Sequence, residues 1–404
     1  MVLLGISLGL AVGEIAARIA GIRFRPHLRN RVYFAEPDSL LGWRNRAGLT
    51  GPYGGEDFLT WVTINSAGQR GPFHPVERSI GTRRIAILGD SQTWGDGVGD
   101  DETYAARLDG DGIEVLNFAA LGYGTDQELL VFDSAAARYR PDIVVVAVFV
   151  GNDFADNLSG GTYQYPKPHF EIAADGSLRL EGSPVNHAKW LHRVVEAHRF
   201  LMRHSALLNA VAAAVGDSPP PSVDSEEFRL WDSIYKREPT AEDRRGLALT
   251  VRLLEEIAVR VRAIGAEPVV LILPEAWQVG VAQRPEWRER LRTLGADWRR
   301  PQKILAGTLG ATGVPVIDAL PALAHATRGR DPERADAHPT YYRRARHLNA
   351  HGHAVVAKLL EKRLRLRRYR SDPRSRAGGG ATDPATPPAT GVGPSARVLP
   401  SVGR

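Results

Sequence analysis

Cysteine is absent from all 404 residues. Disulfides and thiolate metal sites are therefore impossible, which is compatible with an oxidising compartment without requiring one. No apolar run reaches the ~20 residues that a membrane-crossing helix needs; the N-terminal stretch Met1–Val12 is apolar or small throughout but is followed by Glu14 and Arg18. A strong charge bias is missing as well. The net charge is +6, and half of it lies in the tail Tyr369–Arg404, where five Arg face two Asp. The basic cluster Lys362–Arg370 follows a helical pattern without interleaved stacking aromatics, so no nucleic-acid partner is expected. What is present, 43% hydrophobic and 24% charged residues, suits a soluble α/β enzyme with appendages, able to bury one large core or two modest ones.

Three short blocks carry the chemistry. Ile85-Ala86-Ile87-Leu88, led in by Arg83 and Arg84 and stopped by Gly89, reads as a buried parallel strand, and open α/β sheets bind ligands at the carboxyl ends of such strands. Ser91 in Gly89-Asp90-Ser91 then sits on a strand-to-helix turn, where a serine is commonly a helix cap and, when exposed, a nucleophile. The second block, Gly151-Asn152-Asp153, follows the β-branched run Pro141–Val150; an Asn N–H at that end can stabilise the charge of a tetrahedral intermediate. Between them the strand Val115–Phe118 leads to Gly122, whose missing Cβ lets a reacting carbonyl approach a backbone N–H. The third block is His347-Leu348-Asn349, ahead of a helix capped by Asn349. His347, His351 and His353 suggest a metal, but no Glu stands where a metalloprotease helix needs it and other ligands are short, so no metal site is expected.

These residues resemble the SGNH hydrolase superfamily of GDSL-type esterases and acyltransferases. Ser91, Gly122, Asn152 and His347 match its four eponymous residues in chain order, within Gly89–Gly95, Asn117–Thr125, Gly151–Asp153 and His347–Asn349 with Gly352-His353, and the resemblance spans residues 83–360. It implies a three-layer, flavodoxin-like α/β fold around a parallel sheet, Ser91 as nucleophile, His347 as base, an oxyanion hole of Ser91, Gly122 and Asn152, and no cofactor.

One departure matters. The family carries an Asp two or three residues before the histidine, where this chain has Ala345 and Arg344. In the serine-protease triad that Asp orients the imidazole and stabilises its cation. Three readings stay open: a Ser-His pair with a backbone carbonyl orienting the ring, a displaced acid such as Asp336 or Asp331, or a degenerate member. Asp318, after Val314–Ile317, reads as a cap.

The organisation read from the sequence has four parts. Residues 1–23 form a membrane anchor or signal-like helix, with a buried amphipathic helix as the competing reading; the anchored form places the body on the extracytoplasmic side, the alternative being cytoplasmic. Residues 24–80 form a small β-rich segment packing on the main domain, with Phe58–Asn65 as its clearest strand. Residues 81–366 form the hydrolase-like domain, with an insertion at 160–240 long enough for a lid. Within that domain, Thr240 and Asp243 start a helix whose Leu247, Val251, Leu254, Ile257 and Val261 repeat at helical spacing, before a strand at Val269–Leu273. Residues 367–404, rich in Pro, Ala, Thr and Ser, are expected to be disordered.

Two function classes follow. One is a serine-dependent acyl-ester enzyme: an esterase or carbohydrate O-deacetylase, or an O-acyltransferase on an envelope glycan. Its partners would be an acylated small molecule, lipid or glycan, and a membrane through the N-terminal segment. The other is a degenerate binding module that keeps the pocket.

Overall fold

A computed structural model describes residues 2–20, 31–55, 57–162, 165–187, 197, 200–201, 204–215, 233–329, 339–343, 345–366 and 397–398. Its centre is a five-stranded, all-parallel sheet of β5 (Arg83–Leu88), β6 (Ile113–Asn117), β7 (Ile143–Phe149), β12 (Glu267–Leu273) and β13 (Val316–Asp318), in the spatial order β13-β12-β7-β5-β6. Taken in chain order this is the flavodoxin arrangement 2-1-3-4-5, which opens its ligand crevice between the first and third strands. Here those strands are β5 and β7, joined in register with Leu88 beside Val146. Gly89-Asp90-Ser91 and Gly151-Asn152 leave the sheet there side by side. The chain is thus a mixed α/β fold, compatible with the SGNH hydrolase type.

The strands are uninterrupted β-branched and aliphatic runs because both faces are covered. On one face Val144, Val146, Val148, Val270 and Ile272 pack on the helix Ala241–Ala263, with its Leu253, Leu254, Ile257 and Val261, and on the helix Thr125–Ser134. On the other, Ile85, Ile87, Val145, Val269 and Leu271 meet the helices Tyr104–Leu108, Ala276–Gln283, Leu320–Thr327 and Ala350–Arg363. Caps sit where the residue types ask for them. Thr240 and Asp243 close a reciprocal box, Asn349 Oδ1 accepts from Gly352 N–H, and Asp318 Oδ1 accepts from Leu320 N–H.

Upstream, β1 (Ala35–Asp38) pairs with β2 (Gly42–Asn45), and β3 (Thr50–Gly54) with β4 (Phe58–Thr63). Phe34, Tyr53, Phe58, Val62 and Ile64 form a third cluster around Trp94 and Tyr342. The early strands therefore pack on the segment that carries Ser91. Between residues 160 and 240 lie two short hairpins, β8 (Gly161–Thr162) with β9 (Tyr165–Pro166) and β10 (His169–Ile172) with β11 (Leu178–Glu181). Buried Lys167 pairs there with buried Asp126 of the main domain. Tyr163, Pro219–Pro221, Phe228 and Trp231 lie outside the described residues, as does the tail beyond 366 apart from Arg397–Val398, which pairs with β4.

The expected membrane anchor is corrected. The N-terminal helix runs Val2–Ile19, and no helix among the described residues is long and apolar enough to cross a membrane. Glu14 on this helix has partners within the protein. Its carboxylate accepts the Leu207 and Ala206 N–H groups and the Ser205 hydroxyl, and pairs with Arg18. Those bonds hold its pKa down near 2. The helix is thereby tied to the helix Ala206–Val215, whose first turn Glu14 caps. No described helix supports the membrane anchor or the membrane-bound placement expected from the sequence.

Candidate active site

Ser91 opens the one-turn helix Ser91–Trp94 directly after β5, with Asp90 as its cap accepting Gln92 N–H at 2.9 Å. Gly89 is required for this turn, since a Cβ there would stand 2.2 Å from Thr93 Oγ1. Ser91 is 5% exposed, and its hydroxyl is 2.8 Å from His347 Nε2, across 256 residues of sequence. A contact of that length is a well-formed hydrogen bond. The other ring nitrogen, Nδ1, lies 2.7 Å from the carbonyl oxygen of Ala345. A carbonyl only accepts, so Nδ1 carries the hydrogen and Nε2 presents its lone pair to the serine hydroxyl.

The turn that supplies this carbonyl is fixed by the backbone. Tyr342 N–H donates to His347 O at 2.8 Å and Arg346 N–H to Tyr342 O at 3.2 Å, with Arg346 in the left-handed region at φ 58°. Two side chains from elsewhere pin it. Asp57 accepts Ala345 N–H at 3.2 Å. Gln92, one residue after the serine, donates to Arg346 O at 3.2 Å and accepts Leu348 N–H at 3.0 Å, bracketing His347 on both sides. A third group faces the ring, from the serine side: Asp96 Oδ2 is 3.6 Å from Nε2. Asp331 and Asp336 lie outside the described residues.

Gly122 sits in the loop after β6 with φ 76°, a conformation natural only to glycine. Ala120 N–H binds Gly89 O at 3.2 Å, which fastens this loop to the one bearing Ser91. The indole N–H of Trp43 binds Leu121 O at 3.0 Å. In a trans peptide C=O and N–H point to opposite sides, so Trp43 also fixes the direction of Gly122 N–H. Asn152 follows β7; its amide donates to Asp156 at 2.7 Å while its Oδ1 is buried without a hydrogen-bond partner among the described residues.

Beneath the serine lies a set of buried acids. Asp90, Glu128 and Asp153 are at most 1% exposed. Burial first, and then the charge of Asp90, pushes the Glu128 and Asp153 carboxyls well above the usual range. His353 belongs to the packing. Its Nδ1 accepts Tyr104 N–H at 3.1 Å, its ring stacks on Tyr104, and burial lowers its pKa to about 3.

Sequence reasoning missed Gln92, Asp96, Asp57 and Trp43. Gln92 stands inside the first motif and Asp96 one residue past it, but a polar residue one or five places past a serine has no signature without the fold.

No family model and no curated protein matches the sequence. Among solved structures the chain is similar to an acetyl xylan esterase (TM-score 0.38, 11% identity, 70% of this chain and 99% of that one). It is also similar to a GDSL-like lipase from Bacteroides thetaiotaomicron (TM-score 0.35, 13% identity, 73% and 93%). A third is a catalytic mutant of an acetylxylan esterase from Geobacillus stearothermophilus (TM-score 0.36, 12% identity, 74% and 100%).

Proposed function

We propose that the chain is a serine-dependent acyl-ester hydrolase, an esterase or carbohydrate O-deacetylase, working through Ser91 and His347 without a carboxylate on Nδ1. The observation that carries this is the continuous chain of hydrogen bonds from Ser91 Oγ through the imidazole to Ala345 O, at 2.8 and 2.7 Å. Nε2 takes the hydroxyl proton as Oγ bonds to the ester carbon. The carbonyl electrons move onto oxygen, and Gly122 N–H, Ser91 N–H and Asn152 hold that charge. An amide group has two N–H donors, so Asn152 can keep Asp156 with one and meet the oxyanion with the other. Collapse breaks the C–O bond, the leaving alcohol takes the proton from Nε2, and water repeats the sequence to free the acid and Ser91.

The Ala345 carbonyl supports the pair in one of the triad acid's two tasks. It holds the tautomer and ring plane as the missing Asp would, but as a neutral group it is a weaker partner for the imidazolium.

The test is the full chain acting on short acyl esters, with Ser91→Ala and fluorophosphonate labelling beside it. The expected outcome is a loss of at least about 10³-fold in kcat for Ser91→Ala and label on Ser91 alone. Activity undiminished in Ser91→Ala, or a wild type inert to both ester and label, overturns the proposal.

A further inference from the structure

The carbonyl behind His347 leaves the other task of a triad acid, compensating the positive charge that appears on the ring, without an evident performer. We infer that Asp96 performs it, from the serine side of the imidazole rather than from behind it, as the ionised group that stabilises His347 once it has taken the Ser91 proton. This rests on the Ser91–His347 reading above.

The placement is specific. Asp96 lies in Trp94-Gly95-Asp96-Gly97, where Gly95 and Gly97 have φ of 92° and 108°. Both glycines are required: a Cβ on Gly95 would meet Thr103 at 2.6 Å, and one on Gly97 the Tyr342 ring at 2.6 Å. The turn closes on the nucleophile helix itself through Asp96 N–H to Ser91 O at 3.0 Å. Its carboxylate is 4% exposed as a residue and 3.6 Å from Nε2, against 2.8 Å for Ser91 Oγ. The serine therefore holds the hydrogen bond in the resting state and the carboxylate acts through space, where water screens it little.

The order of events follows from those distances. The proton leaves Oγ for Nε2, the electron pair stays with Oγ and forms the new bond to carbon, and the ring becomes a cation. Asp96 takes no part in the proton transfer itself. Being on the Nε2 side, it does not contest the Nδ1 bond to Ala345.

The other charged or titratable groups around the ring do not fill this place. Asp57 accepts the Ala345 N–H, on the Nδ1 side of the ring. Asp90 lies behind Ser91, 3.5 Å from its hydroxyl. His353 is buried and neutral at working pH. Arg346 is the neighbour in sequence, and buried Arg70, beneath the Trp94–Val98 turn, is a cation. Tyr342 donates its hydroxyl to Gly97 O at 2.8 Å.

The experiment titrates His347 by NMR in the full chain labelled with 15N-histidine, its signal assigned with His347→Gln. Wild type, Asp96→Asn, Asp96→Ser and Asp96→Glu are compared, each with a pH profile of kcat/KM on 4-nitrophenyl acetate. Removing a negative charge at this distance is expected to lower the His347 pKa by about one unit or more, and the acid limb of kcat/KM moves down with it. The plateau of kcat/KM is expected to fall about tenfold. Asp96→Glu keeps the charge and keeps the limb near wild type. The inference is overturned if both neutral variants leave the titration and the limb in place, or if Asp96→Glu shifts them as far as Asp96→Asn. Asp96→Ser decides the matter should Asp96→Asn not fold. A wild type without Ser91-dependent activity defeats the hydrolase reading instead, and the titration still decides whether Asp96 governs the ring.

Discussion

The two halves of the site are held by different means. Ser91 stands one turn beyond β5, the strand at the switch point, and its position follows from the parallel ladder: β6 on one side, β7 on the other, and Ala120 N–H on Gly89 O. His347 stands just ahead of the helix Ala350–Arg363, and a neighbour reaches back to the end of β12, where Tyr341 donates its hydroxyl to Pro274 O. What holds His347 is a backbone turn, Asp57 from the upstream hairpin, and Gln92 from the serine's own segment. Gln92 links the halves. A base held by the nucleophile's neighbour keeps its distance to the nucleophile even if both shift relative to the sheet, which gives the near-attack geometry that proximity effects require.

Breaking the serine half should cost most. An oxyanion donor acts mainly in the transition state, so Asn152→Ala is expected to lower kcat by about 10²- to 10³-fold with a smaller change in KM. Steady-state kinetics on one acyl ester checks this; a variant that only raises KM would remove Asn152 from the hole.

The histidine half is sharpened by Gln92→Ala, which deletes the bonds to Arg346 O and Leu348 N–H without touching either reacting group. A base left free to drift by an ångström loses about 10²-fold, so kcat should fall by roughly 10- to 100-fold while fluorophosphonate still labels Ser91, more slowly. Gln92→Glu, which keeps the acceptor for Leu348 N–H and loses the donor to Arg346 O, should lie between. Should Gln92→Ala turn over like wild type, the loop is self-supporting and the contrast between the halves dissolves.

A smaller effect is expected from Trp43→Phe. The ring's packing between Tyr123 and Tyr165 survives, but the bond from the indole to Leu121 O is lost. A neutral hydrogen bond is worth about 1 kcal/mol, so kcat should fall about fivefold as the Leu121–Gly122 peptide gains freedom. Equal kcat in the two proteins would mean that the loop alone aims Gly122 N–H.

What could be read from the sequence divides along the same line. The five strands of the parallel sheet, their order of appearance, the turn at Ser91, and the caps Thr240, Asp318 and Asn349 are local signals: β-branched runs, the first stopped by glycine, and short polar residues ahead of helices. Each was legible because its cause lies within a few residues. A backbone carbonyl orienting the ring was legible only as one of three readings, and not which one, because a backbone oxygen has no letter of its own. Gln92, Asp96 and Trp43 act on partners tens to hundreds of residues away, and only the fold brings them together. The N-terminal helix erred for the same reason. Glu14 looked like a charge awkward in lipid, and its partners Ser205, Ala206 and Leu207 lie more than 190 residues on.

The serine half also carries a liability that the histidine half lacks. Glu128 is buried beneath it, with neither carboxyl oxygen meeting a hydrogen-bond partner among the described residues, and burial together with the charges of Asp90 and Asp126 raises its pKa well above the ordinary value. The sign of the consequence follows from proton counting. Above the ordinary Glu pKa of about 4.3 the unfolded chain has released this proton while the folded chain keeps it, so the group's contribution to stability is full below that pH and declines as pH rises towards the raised value. Glu128→Gln removes the titration and leaves an uncharged amide of nearly the same shape, whose burial costs less than that of a carboxylate. The variant should therefore melt close to wild type near pH 4.5, melt progressively higher than wild type as pH rises to 8, and show a flatter stability profile between them. Parallel profiles for the two proteins would mean that Glu128 is solvated or paired in solution, and that the cost of buried charge under Ser91 falls on Asp153 instead.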